Sequence, residues 1–141
     1  MRHVVGLTFL ALAAQSPGIA GGQILLSEVM ADPAGSEHHD EFVEVLNTSH
    51  TDTLDLSGWR LGDSDELDRI VDAGEGPRLA PRAIAVVLDG SYPSASTTYD
   101  SVRESARIVT IRDRAFGRGG WSNSAPEVVI LMSPWHWLWM N

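Results

Sequence analysis

Apolar and polar positions alternate most clearly in "EFVEVLN". On an extended chain Glu41, Val43, Val45 and Asn47 fall on one side, and Phe42, Glu44 and Leu46 on the other. Phe42, Val43, Val45 and Leu46 favour the pleated backbone, so the segment predicts a strand. The same reasoning predicts strands at Gln23–Met30 (apolar, with one acid at Glu28), "SGWRL", Ala83–Leu88, Arg107–Ile111 and "EVVILM". Turn residues punctuate them: "DPAG" after Met30, the Thr, Ser, Asp and Gly residues of "TSHTDTLDLSG", Asp89-Gly90, and the loop "AFGRGGWSNSAP". Leu54 and Leu56 alternate inward. "DSDELDRI" predicts an acidic hairpin or loop. Thr97 and Asp100 stand at capping-box spacing and predict a short helix over Thr98–Ser105. Short strands separated by turns predict one all-β domain, a sandwich or barrel.

The N-terminus follows a different pattern. "MRHVVGLTFLALAAQSPGIAGG" has a basic start at Arg2, an apolar run from Val4 to Ala14, then Pro17-Gly18 and small residues. These are the three regions of a secretory signal peptide. It is expected to span residues 1–20, with cleavage after Ala20 and Gly22 as second choice. The run is short for a membrane span, so no stable membrane anchor is expected after cleavage. The expected location is secreted, periplasmic or cell-surface. The domain is expected over residues 23–132, followed by a Trp-rich tail over 133–141.

Composition narrows the chemistry. The chain has 141 residues and no cysteine, which excludes disulfides, thiolate metal sites and a Cys nucleophile. Acids outnumber bases 19 to 10, every base is arginine, and the net charge is −9. Phosphate-backbone binding rests on basic patches, so this balance argues against a nucleic-acid partner. Arg112, Arg114 and Arg118 cluster, but a solvated loop explains them better.

"SEHHDEF" raises the question of a metal. Adjacent His38 and His39 point apart on an extended chain, whereas Glu37, His39 and Glu41 share one side. The candidate metal ligands are Asp32, Glu37, His39 and Asp40. Oxygen donors suited to calcium extend to Asp63, Asp65 and Asp68, although no EF-hand spacing is present. Solvated acidic loops are the simpler reading, so the expectation is no cofactor, with calcium as the alternative. Glu28 and Glu44 form a carboxylate pair of the kind used in acid–base chemistry, but no "GxSxG" context accompanies them. Glu44 shares a face with Phe42 and Leu46, and partial burial there would call for a partner such as Arg60 or backbone N–H groups. Asn47 and Asn123 suit turn caps. "NTS" at Asn47 is a glycosylation sequon only in a eukaryotic secretory pathway.

In order, "ILLSEVMADPAG", "DEFVEVLN", "DLSGWRLGD", "LAPRAIAVVL" and "GWSNSAPEVVIL" resemble the lamin tail domain as found in secreted bacterial proteins. The resemblance covers Gln23 to Met132. It implies an immunoglobulin-like β-sandwich, in agreement with the strand reading. It also gives Glu28, Glu41, Glu44, Asn47, Gly58, Trp59 and Asn123 structural roles, with Trp59 as a core anchor. The family's last strand is usually followed by a returning hairpin, where this chain has "SPWHWLWMN". The sandwich is therefore expected to lack its last strands, with a truncated or altered C-terminus.

Trp135, Trp137 and Trp139 alternate onto one face of an extended strand. A sugar-stacking strip, an interfacial anchor, a closing edge strand and a replaced end all fit. The expected function is a secreted, non-enzymatic module for binding or scaffolding at the cell surface or outside the cell. Its partner would be a protein or a cell-surface polysaccharide. The alternatives are an accessory domain of a truncated extracellular hydrolase or nuclease, a carbohydrate-binding sandwich using the three tail tryptophans, and an enzyme using Glu28 and Glu44.

Overall fold

The computed structural model describes residues 12–13, 24–34, 39–74, 76–122 and 124–134, with backbone only at Leu12, Ala13, Arg103 and Glu104. In chain order the strands are Leu12–Ala13 (β1), Ile24–Met30 (β2), Phe42–Asn47 (β3), Leu54–Asp55 (β4), Arg60–Gly62 (β5), Leu67–Asp72 (β6), Arg78–Leu79 (β7), Ile84–Leu88 (β8), Arg107–Ile111 (β9) and Ile130–Met132 (β10). A helical turn, Tyr92–Ala95 (α1), and a 3₁₀ turn, Asp100–Glu104, lie between β8 and β9. The all-β expectation holds.

The strands run β1-β10-β5-β6-β9-β8-β3-β2, with β4 and β7 forming a separate small ladder. β6 joins the two halves. Its first residues, Leu67–Arg69, pair with β5, and its last, Ile70–Asp72, pair with β9. The sheet turns over at that point and encloses one core, in which Val43, Val45, Ala85, Val87 and Val109 meet Leu61, Phe116, Val129 and Leu131. This is an immunoglobulin-like β-sandwich.

Predicted alternation is realised in β3, whose Val43, Val45 and Asn47 are buried between half-buried neighbours. β8 reads as a continuous apolar run because both faces are covered. Ala85 and Val87 join the main core, while Val86 and Leu88 join Tyr92 and Ile108 under the β8–β9 connection. β8 and β9 are parallel, so a crossover must link them. It begins at Gly90, where a Cβ would meet three backbone oxygens of residues 111–113 at 2.8–2.9 Å, so only glycine fits. In "LSGW", Trp59 N donates to Leu56 O at 3.1 Å and Gly58 holds φ 76°. That turn requires glycine at its third position.

Several sequence expectations are corrected. "DSDELDRI" is a hairpin turn only over Asp63–Glu66; the rest is β6. The helix expected over Thr98–Ser105 is a shorter 3₁₀ turn over Asp100–Glu104: its N-cap is Tyr99, with no side-chain cap bond, and Thr97 does not cap it. "EVVILM" is strand only over its last three residues. Trp59 packs half-buried against the core, but the tryptophan that enters it is Trp121, stacked on Phe116 at 5.1 Å. Within the stretch read as a leader, only Leu12–Ala13 are described. They pair in parallel with Ile130–Leu131.

Candidate functional site

The side chains of Asn47, Glu41 and Glu44 end on backbone groups or on a neighbouring strand. Asn47 is fully buried and acts as a staple. Its Nδ2 hydrogens are shared among Asp52 O, Leu79 O and Ala80 O at 2.8, 3.0 and 3.0 Å, and its Oδ1 accepts Ser49 N at 3.0 Å. One residue thus caps the turn after β3 and ties it to β7. Its amide is unavailable to a glycosyl group. Glu41 is the inward carboxylate of this motif. It is buried, and both its oxygens receive the Trp121 amide at 3.1–3.2 Å. Glu44 faces the other way, half-buried, and accepts Ser27 Oγ at 2.6 Å. Glu28 stands opposite Glu44 in the β2–β3 ladder and is exposed. Arg60, a proposed partner for Glu44, donates to Leu67 O at 3.0 Å.

Among the described residues the candidate metal ligands do not converge. Asp32 is exposed. Asp40 is buried and anchors the crossover: its carboxylate accepts Ser96 Oγ and, at 3.0 Å, Thr98 Oγ1, while its carbonyl accepts Tyr99 Oη at 2.8 Å. Burial and the nearby Asp40 carboxylate raise the Tyr99 phenol above its ordinary value. Glu37, Asn123, Trp135, Trp137 and Trp139 lie outside the described residues.

His39 instead meets a serine and an acid. Its Nδ1 lies 2.8 Å from Ser91 Oγ and 3.6 Å from Asp89 Oδ2, while Ser91 Oγ donates to Asp89 Oδ1. The composition is that of a hydrolase triad but the arrangement is not. A triad histidine takes the serine on one ring nitrogen and the acid on the other. Here both approach Nδ1, and the serine proton already points at the carboxylate. Ser91 is 6% exposed and Asp89 0%, so neither is presented to a substrate. Two surface grooves, one beside Ser57, Arg69, Asp72 and Arg112 and the other beside Phe42, Ile84, Tyr99 and Val102, are lined by none of the three.

Three carboxylates do come together: one oxygen each from Glu66, Asp68 and Asp113 lie within 4.8 Å of one another. Asp68 is 2% exposed, with Oδ2 accepting Gly117 N at 2.8 Å and Oδ1 lacking a hydrogen-bond partner. Burial, then the facing Asp113 carboxylate, push the Asp68 carboxyl up to about 7, against the Gly117 amide, which lowers it. The sequence named Asp68 among calcium donors but missed Glu66 and Asp113. The β6–β9 register pairs Ile70 with Ile111, and Arg69 O accepts Arg112 N at 2.8 Å. One step further along the ladder, Asp68 stands opposite Asp113. That juxtaposition has no local sequence signal.

Two comparisons complete the description. A family model for the lamin tail domain matches residues 17–134. No curated protein matches the chain by sequence.

Proposed function

We propose that this chain, which belongs to the lamin tail domain family, is the exported form of the module and binds or scaffolds other molecules at the cell surface or outside the cell rather than catalysing a reaction. The observation that carries this reading is the use of its polar residues. Asn47, Glu41 and Asp40 are buried and hold turns, a loop and the crossover through backbone or hydroxyl contacts. The one serine–histidine–acid grouping among the described residues has the wrong nitrogen order for proton relay. A rigid sandwich offering its loops and outer faces suits recognition better than turnover. Its partner would be a protein or a cell-surface polysaccharide.

Export is supported by the leader pattern of residues 2–20 and by a family match that begins only at residue 17. Cleavage after Ala20 would remove Leu12–Ala13 and open the outer edge of β10. Two measurements test the reading. Expression of the full chain with a secretion-competent host should deliver to the medium or periplasm a protein whose intact mass begins at Gly21. That protein should be retained on isolated cell-envelope material and should release no product from ester, phosphoester or glycoside reporters. Turnover abolished by Ser91→Ala would overturn the non-catalytic reading. Retention of the full-length mass inside the cell would overturn export.

A further inference from the structure

Asp68 and Asp113 oppose one another across the extended β6–β9 ladder. Like charges placed directly opposite destabilise a sheet, and Glu66 adds a third carboxylate within 4.8 Å. Among the described residues no arginine lies within ion-pair distance of any of the three. Arg69 and Arg112 are one residue out of phase along their strands and so leave on the other face. The cluster therefore has no cation from the protein's own described side chains. Its central member also carries a free ligand atom: Asp68 is 2% exposed, Gly117 N holds its Oδ2, and Oδ1 has no hydrogen-bond partner. A buried carboxylate oxygen in that state calls for a cation or a shared proton.

The surroundings fix the cluster in place. Asp63 Oδ1 accepts the amides of Asp65 and Glu66 at 2.7 and 2.8 Å, which sets the turn that presents Glu66. Gly117 has φ 53°, and a Cβ there would fall 2.2 Å from Asp63 Oδ2, so glycine lets the two loops close on one another. We propose that Glu66, Asp68 and Asp113 bind a single calcium ion. Three carboxylate oxygens and no nitrogen or sulfur donor select a hard cation. Calcium holds oxygens at about 2.3–2.6 Å, so two ligands of one ion stand up to roughly 5 Å apart. Magnesium, at about 2.0–2.1 Å, would demand a span below roughly 4.2 Å and a stricter octahedron. Few protein ligands place the dissociation constant at about 0.1–1 mM.

The test is calorimetric unfolding of the whole chain at pH 7.5 and fixed ionic strength, in EGTA and then in 10 mM calcium chloride. The midpoint of the wild type should rise on the order of 5–10 °C by mass action. Asp113→Asn, a change at an exposed residue that the fold does not need, should lose the rise. Asp68→Asn should lose it too, while Asp32→Asn, exposed and remote from the cluster, should keep it. An unchanged wild-type midpoint overturns the proposal and leaves a shared proton as the explanation of the pair. So does a rise that persists in both cluster variants. An equal rise in magnesium overturns the choice of calcium.

Discussion

Replacing Asn47 by Ala removes the donor that joins the turn after β3 to β7 and to the residue beyond it. Leu79 O loses a donor in a buried setting, at a cost of about 1–3 kcal/mol. Asp52 O and Ala80 O are partly buried and recover some water, at about 0.5–1 kcal/mol each, and Ser49 N loses its acceptor. The sum is about 2–5 kcal/mol, a large share of the roughly 5–15 kcal/mol that holds a domain of this size. Urea unfolding followed by tryptophan fluorescence reads it out, because Trp121 is buried against Phe116. With a slope of about 1–3 kcal/mol per molar, the midpoint should fall by about 2 M. Asn47→Asp is the isosteric control: it keeps the acceptor for Ser49 N but turns a second carboxylate oxygen toward the carbonyls. It should lose at least as much at pH 7 and recover part of it below about pH 4, where the protonated acid donates again. A midpoint within about 0.5 M of wild type for Asn47→Ala would refute the staple.

Two further outcomes follow from burial and charge. Trp121→Ala should cost about 3–5 kcal/mol in urea unfolding followed by far-UV circular dichroism, and Trp59→Ala, half-buried, clearly less; the reverse order would contradict the packing. In EGTA, Asp68 binds its proton more tightly folded than unfolded, because its carboxyl is pushed up to about 7. Its contribution to stability is therefore lost as pH rises from about 4 to about 7. The difference in stability between Asp68→Asn and wild type should grow in favour of the variant across that window. A difference that stays flat with pH would remove the buried charge from the account.

Much of the sandwich is legible along the chain. Arg107–Ile111 is a strand in the sequence reading and in the fold, because strand formation there needs only β-branched residues in extended runs. The glycine of "LSGW" is legible too, since its positive φ is a demand of one four-residue turn. The family-like motifs follow the same logic: Asn47 tolerates and caps a turn. The helix over Thr98–Ser105 shrank to a 3₁₀ turn that begins at Asp100, while Thr98, the first residue expected in it, is bonded to Asp40, 58 residues earlier in the chain.

The sequence by itself determined the strands β2, β3, β8 and β9, the main turns and the sides of β3 on which Glu41 and Glu44 lie, because period-two alternation and turn geometry act within a few residues. Only the tertiary structure decided that the Glu41 side faces the core and receives Trp121, and that Trp121 enters the core while Trp59 stays at its margin. It alone set the β6–β9 register that brings Asp68 against Asp113. Strand order and register are properties of segments far apart in the chain, and a shift by one residue would send every side chain on that strand to the opposite face.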